Sequence, residues 1–185
     1  MTTGRRIASL LAVAALVAVA ACGYALQGRG GSLSPKADGT PIRRIGVPLL
    51  VNQSTTPDLD QILTTAIRQE LQSKGRYTVV PDTTGVDAVL SGTIMPVTTN
   101  LTGLTETRQA SKYIITVSAN IEFREQPANT VHWANPAFRM SEEYDVPTGA
   151  GATDQTLMFQ ADRQALERLA RTFARNLISA IFEGM

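Results

Sequence analysis

Cysteine and histidine, two residue types that often act as nucleophile and base, each occur once in this chain. Cys22 is the only cysteine and His132 is the only histidine among 185 residues. A catalytic thiol needs an activating base, but His132 lies far along the chain in a strand-like segment. A single cysteine has no partner within the chain for a disulfide, and one cysteine with one histidine argues against a zinc site. The chemistry that remains for the Cys22 thiol is covalent attachment.

The sequence before Cys22 has the form of an export signal. Arg5 and Arg6 precede a stretch of 15 apolar or small residues, 7–21. A membrane-spanning helix needs about 20 apolar residues, so the stretch is short for one, although a permanent N-terminal anchor helix is the alternative. We therefore predict a cleaved signal peptide over residues 1–21.

The residues Val19-Ala20-Ala21-Cys22 resemble a lipobox, the bacterial signal after which the cysteine becomes the first residue of the mature protein. A thiol can carry a thioether-linked diacylglycerol, and cleavage frees an amine for an N-acyl chain. Because two or more acyl chains anchor a protein stably whereas one does so marginally, we predict that Cys22 is the lipidation site. An aspartate in place of Gly23 usually retains Gram-negative lipoproteins in the inner membrane, so Gly23 is consistent with a periplasm-facing protein of the outer membrane.

No catalytic or cofactor motif accompanies these residues. The sequence contains no G-x-x-x-x-G-K, no G-x-G-x-x-G after a strand and no H-E-x-x-H. Glu142 and Glu143 are adjacent in a predicted strand and point to opposite faces, while Asp58 and Asp60 suit the first turn of a helix. We expect a protein that is not an enzyme and that has no cofactor or metal besides the acyl chains on Cys22.

Composition divides the chain into three segments. After the predicted signal peptide, residues 22–41 are rich in Gly, Ser and Pro, which is typical of a lipidated N-terminus with a flexible tether. Residues 42–185 have the length of a single domain. The 17 Lys and Arg residues nearly balance 16 Asp and Glu residues, and the net charge is +1. We expect no nucleic-acid partner, because the basic excess that such binding requires is missing.

Two helices are predicted, at about 57–74 and 154–183. Thr56 is a plausible N-cap of the first helix, and Gly75 suits its C-terminal end. Arg168, Arg171 and Arg175 lie on the solvent face of the second. Apolar residues recur at helical spacing in both: Leu59, Ile62, Leu63, Ala66, Ile67 and Leu71, then Leu166, Leu169, Ala170, Phe173, Leu177 and Ile181.

Between and before the helices the pattern is that of strands. Strands are predicted at 42–51, 76–81, 87–99 and 113–123, and another follows a hairpin connection at 125–130. The segment KYIITVSANIEF alternates between apolar and polar residues, which indicates a half-buried antiparallel strand. A one-sided helix must cover a sheet. The predicted fold is therefore α+β, with a mixed sheet of four or five strands and two helices packed on one face.

Several of these segments together resemble the LptE family of LPS-assembly lipoproteins. The mature chain would begin Cys22-Gly-Tyr-x-Leu, as in many members. The first strand would end Val47-Pro48, followed by Asn52, Ser54 and Thr55 at the family's Asn-x-(Ser/Thr) position. Segments RYTVV, DAVLSGTI and WANPAFRMSEEYDV add to the match, which covers most of residues 22–183. Ala25 and Gln27 depart from the more polar or basic residues of many members.

The resemblance implies a plug that sits inside the outer-membrane β-barrel LptD, helps it assemble, and contacts lipopolysaccharide during transport. The segment 93–107 contains six threonines with Asn100 and Gly103 and one charged residue, Glu106. It forms a hydroxyl-rich projection that could line a polar lumen; a solvated loop is the alternative. We expect barrel-lumen contacts from Thr98, Thr99, Asn100, Thr102 and Thr105.

Arg108 and Lys112 are the cations nearest that segment, and we expect them to contact the anionic phosphates of lipopolysaccharide; an ordinary solvated strand end is the alternative. Two other functions are open: a lipoprotein activator of a peptidoglycan synthase, which usually has a longer, proline-rich linker, and a pore-forming secretion lipoprotein, which needs long amphipathic strands.

Overall fold

The computed structural model describes Leu33, Lys36 and residues 39–104, 110–146 and 155–184, the side chains of 110, 111 and 155–160 excepted. These residues form one mixed sheet with two helices on one face, which confirms the predicted α+β class. The sheet has seven strands, more than the predicted four or five, because two predicted strands are each divided in the structure. Cys22, Thr105 and Arg108 lie outside the described residues.

The sheet combines a parallel and an antiparallel part. In the parallel part, β1 and β2 pair with β4, and β3 pairs with β1. In the antiparallel part, β6 pairs with β4, β5 and β7. Helix α1 connects β2 to β3, and α2 follows β7. The elements are β1 Arg44–Gly46, β2 Val51–Asn52, α1 Leu59–Ser73, β3 Thr78–Val80, β4 Ala88–Ile94, β5 Thr98–Leu104, β6 Ala110–Glu125, β7 Val131–Asp145 and α2 Gln155–Glu183.

Helix α1 begins later than predicted. Its N-cap is Asp58, which adopts a left-handed conformation with φ 58° and makes no side-chain capping hydrogen bond, so the prediction of Thr56 as N-cap was wrong. The end of the helix is as predicted: Gly75 has φ 68°, and its amide donates to the carbonyl of Gln72 at 2.9 Å. A positive φ at this position is easy for glycine and strained for most other residues.

The strand 42–51 is interrupted, and side chains of α1 hold the connection that follows it. Thr64 Oγ1 accepts the Leu50 amide hydrogen at 3.1 Å, and the Arg68 guanidinium donates to the Val47 carbonyl at 2.7 Å. These hydrogen bonds satisfy backbone groups that leave the sheet ladder at this bend. Asn52 Oδ1 accepts the Ser54 amide at 2.9 Å, and Asn52 Nδ2 donates to the Thr56 carbonyl at 2.9 Å.

The core lies between the sheet and the helices, and the predicted apolar faces form it. Every predicted apolar residue of α1 and α2 is buried except Ile62, which is partly buried. On β6, alternate residues from Ile115 to Phe123 are buried, as predicted from their spacing. The Phe138 and Phe173 rings meet edge-on at 4.9 Å between β7 and α2. The 125–130 connection joins β6 to β7, and a register shift at Asn135 accommodates the predicted interruption at Asn135-Pro136.

The largest difference from the sequence prediction concerns 87–104. A single strand to residue 99 followed by a projection was predicted. Instead, Met95-Pro96-Val97 separates two strands, β4 and β5, which both pair with the same side of β6. Proline cannot donate to a ladder, so a break at Pro96 is physically expected. The hydroxyl-rich segment from Thr98 to Leu104 is therefore a strand, β5, whose register with β6 shifts between Leu101 and Leu104, rather than a loop.

Candidate functional site

The face of the sheet turned away from the helices is the candidate site, and we call it the open face. Its residues alternate with the buried ones of β6, so Thr116, Ser118 and Asn120 point towards it. Register partners on neighbouring strands share the same face. The pairing of β6 with its neighbours places further hydroxyl and amide side chains on the open face: Ser91 and Thr93 on β4, Thr98 and Asn100 on β5, and Ser141 on β7.

The middle of the open face carries no carboxylate. Thr116 and Ser141 share a hydroxyl–hydroxyl hydrogen bond of 2.8 Å across β6 and β7. Charged pairs lie towards its two ends, where Glu122 pairs with Arg124 and Lys112 pairs with Glu143 at 3.1 Å. The middle also carries a cation, Arg139 of β7, which is the register partner of Ser118. The hydroxyls and amides around it can both donate and accept hydrogen bonds, so the zone suits a polar partner surface that also accepts hydrogen bonds from Arg139.

A shallow cleft of about 280 Å³ opens on this face. The backbone of Gly92 lies at its base. A Cβ on Gly92 would point to the inner face, because Gly92 is the register partner of buried Ile121, and it would stand 2.5 Å from Ile121 Cδ1 and 2.6 Å from the Asn120 carbonyl oxygen. Only glycine fits there, so the close approach of β4 and β6 depends on that residue. Around it stand Val51, Ser91, Thr93, Asn120 and Glu122.

The structure distributes the predicted lumen contacts over two faces. Thr98 and Asn100 lie on the open face, and Thr99 is on the helix side beside Ile115. Thr102 is exposed where the β5–β6 register shifts. All four residues are exposed to solvent, so each is available to a partner.

Of the two residues predicted to contact phosphate, the structure describes Lys112, and the ammonium group of Lys112 is already paired. Lys112 Nζ lies 3.1 Å from Glu143 and 3.8 Å from Asp145. The hydrogen bond to Glu143 and the charges of both carboxylates raise the pKa of Lys112 above its usual value. An anionic ligand would therefore have to compete with two carboxylates of β7 for this ammonium group.

The two adjacent glutamates behave as strand geometry requires. Glu143 pairs with Lys112 on the open face, whereas Glu142 accepts a hydrogen bond from Arg168 of α2 at 2.8 Å. They point to opposite faces, as predicted. Arg168, Arg171 and Arg175 are exposed, as predicted from the stripe, and Arg168 ties α2 to β7.

Three polar contacts inside the fold were not predicted from the sequence, and the first centres on Asp87. Its carboxylate accepts the amide hydrogens of Arg43 and Arg44 at 2.9 and 2.8 Å and pairs with Lys36 at 2.6 Å. Partial burial alone would raise the pKa of Asp87, but the hydrogen bonds from Lys36 and the two amides outweigh it and lower the pKa to about 2. These partners are distant in sequence, so no local pattern signals them.

The other two contacts are a buried glutamate and a buried tyrosine. Glu125 is 3% exposed, and its carboxylate lies 2.7 Å from His132 Nε2 across the hairpin. Tyr144 packs on Tyr113 at 5.9 Å between ring centroids. Burial, and then the hydrogen bond to the Asp162 carboxylate, raise the pKa of Tyr144 above its usual value. These groups join strands to each other and to α2, and they stabilise the fold.

Trp133 of β7 has a packing role. Its ring lies 6.2 Å from that of Phe138 and packs against the core. Within the described ranges, no group of three or more potential metal ligands comes together. No described helix is both long enough and apolar enough to cross a bilayer.

The match to a known family is now decisive. The family model described as LptE, lipopolysaccharide-assembly, matches residues 42–181. The chain belongs to the LptE family. The LptE resemblance predicted from the motifs is thus confirmed, and with it membership of a family of lipoproteins of lipopolysaccharide assembly. No curated protein matches the chain.

Solved structures share the fold of this LptE-family chain at low sequence identity. Lipoprotein B from Nitrosomonas europaea is 10% identical with a TM-score of 0.52, and the match covers 88% of this chain and 94% of that one. The protein CT253 from Chlamydia trachomatis is 10% identical with a TM-score of 0.50, covering 76% and 98%. A protein from Xanthomonas campestris is 11% identical with a TM-score of 0.50, covering 77% and 85%. At such identities the likeness concerns the fold alone.

Proposed function

We propose that this LptE-family protein is an outer-membrane lipoprotein that faces the periplasm, plugs the LptD β-barrel and helps it assemble for lipopolysaccharide transport. The open face carries this proposal. A sheet that buries one face under two helices leaves the other free, and the centre of that face is lined mostly by uncharged hydrogen-bonding groups, with Arg139 of β7 beside Ser118. The lumen of a large barrel is polar and offers matching donors and acceptors.

Charge placement supports the same partner. A carboxylate or ammonium group buried against a barrel wall without a partner would cost several kcal/mol, roughly, in desolvation. Most side chains at the centre of the open face avoid this cost because they are hydroxyls and amides. Arg139 beside Ser118 is the exception, and it would need an acceptor on the barrel wall. The ion pairs at its ends, Glu122 with Arg124 and Lys112 with Glu143, already neutralise one another.

The experiment is recovery of the partner from detergent-solubilised outer membranes. Placing two like charges opposite each other on the open face with Thr93→Glu and Asn120→Glu should lower recovery of the barrel at least tenfold. Gln61→Glu and Gln69→Glu add the same charge to exposed positions on α1 and serve as the matched control. Equal recovery with both double variants would contradict the role of the open face.

The same purification separates the alternative functions. Recovery of a peptidoglycan synthase would favour the activator, and recovery of a ring of identical chains would favour the pore. The hairpin of β6 and β7 argues against the pore, because its inner side packs on α2 through Phe138 and Phe173. Such strands are committed to a globular core.

Membrane attachment is proposed through acyl chains on Cys22. Mass analysis of the N-terminal peptide from the native host should find a chain that begins at Cys22 and carries a diacylglycerol and an N-acyl group. A chain that begins elsewhere, or an unmodified cysteine, would contradict the anchor while leaving the family assignment intact.

Direct contact with lipopolysaccharide is proposed through Arg108 and Lys112. Charge reversal of both residues should weaken binding of purified lipopolysaccharide, and reversal of Arg171 and Arg175 on the exposed side of α2 is the control. Because Glu143 and Asp145 compete for Lys112, the variant Glu143→Gln should strengthen binding. Unchanged binding in the charge-reversed variant would remove this contact.

A further inference from the structure

Strand β5 forms an edge of the sheet that no other described strand covers. It pairs with β6 on one side, and within the described part of the chain nothing pairs with its other side. Its residues from Thr98 to Leu104 are all exposed except Gly103, which is half-buried. The outward backbone N–H and C=O groups of β5 therefore form a template on which a further strand can pair.

Strand β5 is less protected than the other edges of the sheet. Proteins blunt exposed edges with short strands, charged residues, prolines and bulges. Strand β3 has three residues. Strand β7 carries Arg139, Glu142, Glu143 and Asp145, with Pro136 at its register shift. Strand β5, with the sequence TTNLTGL, contains neither a charge nor a proline; its register with β6 shifts between Leu101 and Leu104, so its regular stretch is Thr98 to Leu101.

Exposed apolar side chains accompany this edge. Leu101 is 49% exposed and Leu104 is 57% exposed. Leu101 pairs with Tyr113 on the helix side of the sheet, next to the Tyr113–Tyr144 stack. A strand added to β5 would cover Leu101 and extend this apolar surface.

A cavity lies on the helix side of the same strand. It has a volume of about 250 Å³ and is lined by Thr99 of β5 and by the apolar residues Ile62, Ile115 and Leu166. Asp162 and Arg163 of α2 also line it, so the apolar part is one side of the cavity. The residues before α1, from Thr55 to Asp58, form its rim. In a strand, alternate side chains point to one face, so one side chain of an added strand could enter this cavity.

We propose that the β5 edge binds an extended segment of the partner barrel protein as an additional strand, with one apolar side chain of that segment in the cavity beside Thr99. Backbone hydrogen bonds supply affinity in this mode of recognition, and pockets for alternate side chains supply specificity. The segment would be polar on the side that continues the open face and apolar on the side that covers Leu101. The identity of the partner rests on the proposed function; the binding mode rests on the edge.

Two double variants with the same change in charge test the edge. Leu101→Lys with Leu104→Lys places two lysines on the edge strand β5. The control, Leu49→Lys with Val131→Lys, adds the same charge at two apolar positions elsewhere whose side chains are similarly exposed, 52% for Leu49 and 44% for Val131. Both proteins should keep the wild-type melting temperature within a few degrees. The β5 variant should reduce barrel recovery from solubilised membranes at least tenfold, and the control should stay within twofold of wild type. Wild-type recovery with the β5 variant overturns the proposal.

A photo-cross-linking residue at Leu104, compared with one at Asn120, separates failure of the edge from failure of the function. Cross-links to the barrel from both positions support the edge. A cross-link from Asn120 alone overturns the edge and leaves the barrel partnership standing. Cross-links from Leu104 to a second copy of the chain overturn it in favour of self-association, and absence of the barrel at both positions overturns edge and function together. These single substitutions decide the matter also if the double lysine variant fails to fold.

Discussion

The two faces of one sheet have opposite chemistry in this protein. The inner face packs large, fully buried side chains such as Ile121 and Phe123 against helix residues such as Phe173 of α2. The open face, made by the residues between them, presents Thr116, Ser118 and Asn120. Because alternate residues of a strand point to opposite sides, one segment of β6 supplies both. The inner face stabilises the fold, and the open face is left for recognition.

The largest expected effect on stability comes from the packing between the inner face and the helices. Phe173→Ala removes a fully buried ring that meets Phe138 edge-on at 4.9 Å. The free energy of unfolding should fall by about 3–5 kcal/mol, from lost burial and the cavity left behind. Urea denaturation followed by circular dichroism would measure it. A loss below about 1 kcal/mol would mean that this face does not carry the stability assigned to it.

Adding a methyl group at Gly92 should lower the free energy of unfolding somewhat less than removing the Phe173 ring. Gly92→Ala places a Cβ 2.5 Å from Ile121 Cδ1 and 2.6 Å from a backbone oxygen, which cannot move away easily. We expect the free energy of unfolding to fall by about 3 kcal/mol through overpacking. Gly39→Ala is the control for a strained turn without a close neighbour, since φ is 80° and nothing lies within 4 Å of its Cβ position. Equal losses in the two variants would contradict the packing argument.

Removing the Asp87 contact should lower the free energy of unfolding moderately, by an amount that depends on pH. Asp87→Asn should reduce the free energy of unfolding by about 1–2 kcal/mol at pH 7, because charge-assisted hydrogen bonds to Lys36 and two amides are weakened. The folded pKa of about 2 lies below the ordinary value. The stabilisation is therefore present above about pH 4 and is lost as the pH falls through 2. Denaturation of both proteins between pH 7 and pH 2 should show the difference closing, and a constant difference would contradict the mechanism.

The smallest change in stability is expected on the open face. Thr116→Val with Asn120→Val should alter the free energy of unfolding by about 0.5 kcal/mol or less, as is usual at the surface. Barrel recovery should nevertheless fall, because the partner's polar groups would meet apolar side chains. Loss of stability without loss of recovery would reverse the division of roles between the two faces.

Much of the fold was predictable from local patterns. The helical spacing of α1 and α2 identified their buried residues, and the alternation of β6 identified both of its faces. Gly75 marked the end of α1. These signals are visible because each depends on residues within one element, whose geometry repeats every 3.6 or 2 residues.

Other features depended on contacts that no local pattern records. The N-cap of α1 moved from Thr56 to Asp58 because Asn52 and Ser54 organise the preceding residues through side-chain hydrogen bonds. The segment that ends at Leu104 became a strand because β6 is long enough to pair with β4 and β5 in succession. A polar segment with threonines suits a loop or an edge strand equally well until a partner is present.

The sequence by itself determined the helix faces, the alternation of β6, the α+β class and the family resemblance, because each follows from residue order within a segment. Only the tertiary structure decided which polar residues share the open face, that Lys112 is held by Glu143 and Asp145, and that the edge of β5 lacks a described partner. Strand register and distant ion pairs are set by which segments meet in space, and hydrophobic burial specifies that meeting only through the whole fold.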